Sequence, residues 1–409
     1  MKLLILTQYF PPEVGAPQNR LFELALRLQA KGIDVEILTA MPSYPQMEIQ
    51  PAYKGKKYLE ESLQGLRIKR CWIYVSKDKS IIKRLLNYFS FVFSSLFYGL
   101  RKLERKDVLM VESPPLFLGI SAYLLSKAKH AKMVFNVSDL WPESAEKLNI
   151  ISNKFLLRMA THLEEFCYKK ASLISGQTQG ICRNIQQRFP NKKVFWLKNG
   201  VDIKFYDIDK QITPHFRKDN NFQKDDFILF YGGIIGYAQG LEVILSAANI
   251  LRDKENIKFV LLGNGPEKER LLTMKKDLSL NNVFFYDAVP KSQMQEIIIE
   301  TNATIVPLKR LDLFKGAIPS KIFENLALKR PIILGVEGEA KELFIDEGRC
   351  GISFIPEDAE DLAQKIIYLY SNPDAAKQMG DNGLEYAKKN FNRDIIANDF
   401  HNQLLTLTK

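Results

Sequence analysis

Short apolar runs alternate with stretches whose apolar residues recur every three or four positions, and the alternation repeats through both halves of the chain. In the first half the runs predict strands at Lys2 to Thr7, Val35 to Thr39, Ile68 to Val75, Asp107 to Val111, Lys132 to Val137 and Ser172 to Ser175. Between the first two, Leu21, Leu24, Ala25 and Leu28 share one helical face, and Gly32 stands where a helix end takes a left-handed residue. This is a strand-helix-strand unit. Its repetition predicts a mostly parallel sheet covered by helices on both faces.

The pattern resets near Lys198-Asn-Gly-Val-Asp202, and the polar stretch Lys210 to Asp226 has no apolar period, which predicts a connection. A second series of strands follows at Ile228 to Tyr231, Phe259 to Leu262, Val283 to Tyr286, Thr304 to Pro307 and Ile332 to Leu334. Its first helix carries Leu241, Ile244, Leu245, Ala248 and Leu251 on one face. The predicted class is α/β, with two Rossmann-like domains over 1–198 and 199–390. The length of 409 residues suits two cores of roughly 200 residues each, and no short internal repeat suggests a solenoid.

Composition narrows the function classes. With 46% hydrophobic and 26% charged residues and no low-complexity tract, the chain reads as a soluble folded protein. Cys71, Cys167, Cys182 and Cys350 lie far apart with no C-x-x-C pair, which argues against a zinc knuckle or a disulfide framework and suits a reducing cytoplasm. The N-terminal apolar run ends at Pro11-Pro12 and reads as a buried strand rather than a secretory leader. The longest apolar stretch, Leu85 to Leu100, is broken by Asn87, Ser90, Ser94 and Ser95, so no transmembrane helix is expected.

Charge is uneven: residues 1–200 carry +15 and the remainder −4. The excess concentrates in 51–106, around the aromatic segment Leu85 to Tyr98 with Lys83-Arg84 and Arg101-Lys102 at its flanks. An anionic partner is expected for this half. No nucleic-acid module accompanies the basic residues, so an anionic membrane surface is the better partner and nucleic acid is not expected. The aromatic segment has two readings, a core-packing helix or a membrane-interface helix.

In open parallel sheets ligands bind beyond the C-terminal ends of the strands. There the second half offers Gly232-Gly-Ile-Ile-Gly236 and Gln239-Gly240, a turn that needs glycine or a place where backbone N–H groups approach a phosphate. Gly263-Asn-Gly-Pro266 and Asp287-Ala-Val-Pro290 follow neighbouring strands. Lys321 and Glu324 lie three apart at a predicted helix start, either a surface ion pair or an ammonium for a diphosphate beside a carboxylate for ribose hydroxyls. In the first half Asp139 and Glu143 follow a strand, where Asp139 either caps a turn or meets a substrate. His130, His162, His215 and His401 are scattered and no D-x-D pair stands among the strand-end loops, so metal independence is expected and no cofactor is assigned.

Over nearly its whole length the sequence resembles glycosyltransferase family 4, which has the GT-B fold and uses nucleotide sugars. The carriers are Asn199-Gly-Val-Asp202, Gly236 with Gln239-Gly240, Leu262-Gly-Asn-Gly-Pro266, Val289-Pro290, Val306-Pro-Leu308 and Ser320-Lys-Ile-Phe-Glu324 with Arg330-Pro331. The resemblance implies two domains facing across a cleft, with a C-terminal segment of about 391–409 returning to the N-terminal domain. It implies that Glu324 binds the ribose, that Gly15, Gly233, Gly236, Gln239 and Lys321 face the diphosphate and sugar, and that Asn264 and Val289 read the base, commonly uracil. This chain departs from the family at Gln239, where many members have basic residues nearby, and at Gly316, where they have a glutamate. Lys321 is the expected substitute for the missing charge.

Gln8-Tyr-Phe-Pro-Pro-Glu13, Pro42-Ser-Tyr-Pro45, Ser113-Pro-Pro115 and Asp139-Leu-Trp-Pro-Glu143 are similar to a WbuB-like branch of bacterial surface-polysaccharide enzymes. That likeness implies transfer of a sugar from a UDP-sugar to a polyprenyl-diphosphate-linked saccharide in O-antigen or capsule synthesis. An N-acetylated amino or deoxyamino sugar such as N-acetyl-L-fucosamine is the implied group. Asp139 and Lys321 are then the catalytic candidates, and Asp139 with Glu143 the acceptor-binding ones. The location implied is the inner face of the cytoplasmic membrane, peripherally bound. A sugar-nucleotide epimerase, a phosphorylase and a non-catalytic membrane-associated assembly module are the competing readings.

Overall fold

The computed structural model describes the whole chain except Val14, Lys79, Lys409 and residues 148–152 and 208–213. It divides into two compact units, Met1–Asn199 with Arg393–Lys409, and Gly200–Asn392.

The first unit is built on eight strands: β1 Lys2–Leu6, β2 Asp34–Ala40, β3 Tyr58–Leu63, β4 Leu66–Cys71, β5 Val108–Ser113, β6 Lys132–Val137, β7 Leu173–Gly176 and β8 Val194–Trp196. Their order is β3-β4-β2-β1-β5-β6-β7-β8, parallel except for β3. The order reverses between β1 and β5, so the loops after these strands diverge and leave a crevice at their C-terminal ends. Every residue of β5 is buried, which is why the central runs read as continuously apolar.

The predicted strand at Ile68 to Val75 is displaced: β4 ends at Cys71, and it forms an antiparallel hairpin with β3 that the pattern did not reveal. Both hairpin-turn residues, Gln64 and Gly65, take positive φ, as a tight right-twisting hairpin requires. Glutamine seldom adopts that conformation, so the turn carried no recognisable signature. The short strand β8 was also missed.

The last helix, Arg393–Thr408, belongs to the first unit. Ile396, Ala397, Phe400 and Leu404 join the core beside Leu21, Leu24 and Leu28 of the helix Ala16–Ala30. Arg27 pairs with Asp394 at 2.8 Å, and Arg393 pairs with Glu23.

The second unit holds β9 Phe227–Gly232, β10 Ile257–Leu262, β11 Val283–Tyr286, β12 Ala303–Pro307, β13 Ile332–Gly335 and β14 Gly351–Ser353, all parallel, in the order β11-β10-β9-β12-β13-β14. The reversal here falls between β9 and β12. Part of the expected connection, 210–213, lies outside the described residues. The rest is packed structure: Phe216 and Phe222 are buried against Tyr286 and Phe284, and Arg217 donates to the Glu300, Gln223 and Asp226 carbonyls and to the Asn302 side chain.

Candidate functional site

In the second unit the loops after β9 and β10 are fastened to one another. The Gly233 N–H donates to the Leu262 carbonyl at 2.9 Å, Ile235 to Asn264 at 3.0 Å, and Glu267 back to Ile235 at 3.1 Å. A side chain on Gly263, at φ +148°, would stand 1.8 Å from the Gly233 carbonyl oxygen, and one on Gly265 2.2 Å from that of Ile235. These two glycines therefore serve loop-on-loop packing. They hold rigid the turn in which Gly233 has φ +137° and Gly240 φ +57°, ahead of the helix Glu242–Ile250.

The helix Lys321–Ala327 brings its first side chain to that turn. The Lys321 ammonium lies 3.6 Å from the centroid of the Tyr231 ring and 3.1 Å from where a Gly233 side chain would begin. Tyr231 is itself pinned by a hydroxyl bond to the Ile234 carbonyl at 2.6 Å. Lys321 is only partly buried as a residue, but its ammonium is the enclosed end. Desolvation pushes its pKa down to about 7, against the pull of Glu324. Glu324 sits one turn along, half-buried. The helix is seated by Phe323 against Phe344 and Phe391, and by Leu326 on Gly383, where a side chain would approach within 2.9 Å.

Gln239 is half-buried, its amide folded against Gly236. Beside it stands a cation the sequence reading missed. Lys309 follows β12, its N–H donates to the Ala238 carbonyl at 3.0 Å, and its ammonium lies 3.6 Å from the Tyr237 ring centroid and 3.6 Å from Glu242. Its position directly after Val306-Pro-Leu308 was visible, but its meeting with the Gln239 turn depends on β12 lying next to β9. Asn264 is exposed and accepts from Lys268 at 2.9 Å, which also pairs with Asp287 at 2.7 Å and so links the loops after β10 and β11. Val289 is half-buried, just ahead of the helix Lys291–Ile299. At Gly316 a side chain would meet nothing within 4 Å, so steric exclusion does not explain the glycine.

In the first unit Gly15 caps the helix Ala16–Ala30, and the Gln18 amide lies against it, 2.4 Å from a notional side chain. Glu13 is a clamp. Its carboxylate accepts from the Phe10 N–H at 3.1 Å and from the Ser43 and Tyr44 N–H groups at 2.8 Å, joining the loops after β1 and β2. Burial raises its pKa, while these bonds and nearby Arg70 oppose the rise. Arg70, wholly buried, donates to the Pro11 and Ala40 carbonyls and pairs with Glu61.

Asp139 follows β6 with its carboxylate accepting from Ser144 at 2.8 Å. The residue is exposed, yet desolvation by its surroundings raises its pKa against the Ser144 bond. Glu143, beside it, pairs with Lys147 at 2.7 Å, and its charge adds to the rise. Beneath this turn runs a buried polar chain the sequence reading did not identify. Arg20 donates to Glu112 at 2.6 Å and to Ser138 at 2.8 Å, Asn136 donates to Glu112 at 2.6 Å, and Ser175 to Asn136 at 2.6 Å. It ties the first helix to β5, β6 and β7. Among the described residues no group of three or more histidine, cysteine, aspartate or glutamate side chains is placed to hold a metal ion.

Two family models match the chain: a glycosyl transferase 4-like domain over residues 15–200 and the glycosyl transferases group 1 over 212–386. The putative colanic acid biosynthesis glycosyl transferase WcaI of Escherichia coli strain K12 is 25% identical, covering 99% of this chain and all of that protein. Sucrose-phosphate synthase from Thermosynechococcus elongatus shares the fold with a TM-score of 0.75 at 16% identity, over 100% of this chain and 99% of that one. Anabaena Alr3699/HepE, solved in complex with UDP and glucose, gives 0.72 at 16% identity, over 99% and 100%.

Proposed function

Since the chain belongs to the family 4 glycosyltransferases of the GT-B fold, we propose that it transfers a sugar from a UDP-sugar to a polyprenyl-diphosphate-linked saccharide in the assembly of a bacterial surface polysaccharide. The observation that carries the donor reading is the meeting of the Lys321 ammonium with the glycine turn after β9, one helical turn from Glu324. An anion-seeking group, a backbone open to close approach and a carboxylate for ribose hydroxyls there converge within one unit. HepE, with UDP and glucose bound, and WcaI, named for colanic acid biosynthesis, support the same reading. An N-acetylated amino or deoxyamino sugar such as N-acetyl-L-fucosamine is the proposed group, and O-antigen or capsule the proposed product.

In the proposed reaction an acceptor hydroxyl attacks the anomeric carbon, the bond from that carbon to the diphosphate breaks, and UDP leaves as an anion toward Lys321. Positive side chains can stabilise the leaving diphosphate without a metal. Asp139 takes the hydrogen bond, and in turn the proton, of the acceptor hydroxyl, and Glu143 contacts the acceptor. Gly233, Gly236 and Gln239 line the diphosphate and sugar, Asn264 and Val289 the base. Incubation with UDP-sugars and a polyprenyl-diphosphate saccharide tests the proposal: UDP release with an extended lipid-linked product supports it, and absence of UDP binding at millimolar concentration overturns it.

Two pH effects follow. Lys321 is charged below its pKa of about 7 and neutral above it, so UDP affinity should weaken as pH rises from 6 to 8.5, by up to about tenfold per unit above the pKa. Lys321→Arg, which keeps its charge, should remove that limb; calorimetric titration of UDP across this range reads both outcomes. At acid pH the raised pKa of Asp139 should make turnover fall earlier than for an ordinary carboxylate. Ser144→Ala deletes the bond that favours the charged form, so it should move the acid limb of kcat to higher pH. Asp139→Asn should lower kcat by about 10²- to 10⁴-fold with UDP binding unchanged.

A further inference from the structure

The aromatic segment lies in the helix Ile81–Lys102, which has two unlike faces. Its inner face is core: Phe91 and Val92 are buried, Ser95 bonds to Ser121, and Gly99 lets Leu125 approach closely. On the outer face Ile82, Leu86, Phe93, Phe97 and Leu100 are exposed, Phe93 by 67% and Ile82 by 66%. At about 100° per residue these five fall within an arc of about 60°, along about 27 Å of helix. Globular packing does not account for such a stripe, because an exposed apolar residue is unremarkable singly but not in a continuous row.

The charge around the stripe is one-sided. The helix contains Lys83, Arg84, Arg101 and Lys102 and no acidic residue. No ion pair involves any of these four among the described residues, and the Arg101 guanidinium lies 3.8 Å from the Phe97 ring centroid. A groove of about 520 Å³ continues the apolar surface from Phe93 and Phe97 to the exposed Trp72 at the end of β4, with Lys57 at its rim. Among the described residues no helix is long and apolar enough to cross a membrane.

We propose that this face docks on an anionic phospholipid bilayer, with the helix lying in the plane of the interface, the apolar stripe among the acyl chains and the basic residues at the headgroups. An apolar stripe flanked by unpaired cations is complementary to such a surface, which offers acyl chains for the one and anionic headgroups for the other. The inference deepens the proposed membrane-linked acceptor by naming the surface that meets the membrane, and its test uses neither donor nor acceptor. Failure here therefore leaves the transferase reading standing, and failure to bind UDP leaves this one standing.

The test is flotation of the full chain with vesicles of phosphatidylglycerol and phosphatidylcholine, against vesicles of phosphatidylcholine alone. The chain is expected to float with the anionic vesicles and to be released by salt. Phe93→Ser with Phe97→Ser should reduce partitioning by about tenfold or more, and Arg101→Gln with Lys102→Gln should weaken it and flatten its salt dependence. These side chains are exposed, and thermal melting checks that the variants fold; Ile250→Ser, at an exposed position of the second unit, should partition as the parent does. Equal flotation of the Phe93/Phe97 variant and the parent overturns the proposal. So does absence of binding at low salt, or self-association of the parent that this variant abolishes without any vesicle binding.

Discussion

Glu324→Ala is expected to lower kcat/KM for the UDP-sugar by about 10²- to 10⁴-fold and to weaken UDP binding in step. In the proposed donor mode the carboxylate accepts two ribose hydroxyls, and hydrogen bonds to a charged group contribute about 1.5–3 kcal/mol each. Glu324→Gln retains one acceptor oxygen and should fall between the two. The side chain is half-buried on a helix seated by Phe323 and Leu326, so the melting temperature should move little. Calorimetry with UDP beside steady-state kinetics separates the outcomes. A variant that binds UDP as tightly as the parent removes Glu324 from the donor site.

Glu112→Ala should cost the first unit about 3–5 kcal/mol of stability, because it leaves Arg20 as a buried unpaired charge. Ser138 and Asn136 lose their acceptor in the same step. Denaturant unfolding measures the loss, and a change under about 1 kcal/mol would show that water reaches and satisfies Arg20. Replacing both partners, Arg20→Met with Glu112→Leu, should recover much of the stability. It should not recover turnover, because Ser138 precedes Asp139 and the Arg20–Glu112 pair anchors that turn. Stability restored with activity still low distinguishes positioning of Asp139 from simple structural support.

Legibility in the sequence followed the range of the interactions. Central parallel strands are buried on both faces and announced themselves as apolar runs, as β1, β2, β5, β6, β9, β10, β12 and β13 did. The hairpin β3–β4 depended on a turn at Gln64-Gly65 without a turn signature, and β8 and β14, three residues each, are too short to show a period. Among site candidates, Gly233, Lys321 and Glu324 stood out because strand ends and a helix start can be located locally. Gly263 and Gly265 drew attention for a ligand but pack one loop on another, which only the backbone distance reveals.

Lys309 and the Arg20–Glu112–Ser138 chain were invisible for a related reason: each joins residues far apart in sequence through the strand order. Glu13 looked like part of a motif and proved to be the clamp between two loops. The sequence by itself determined the two α/β units, the strand-end loops proposed to carry the chemistry and the family to which the chain belongs, because periodicity and strand-end glycines are local properties. Tertiary structure alone decided which loops touch, which cation meets the Gln239 turn and which face of Ile81–Lys102 stays uncovered. Those outcomes depend on the order of strands in each sheet and on the packing of helices over them, which no local pattern encodes.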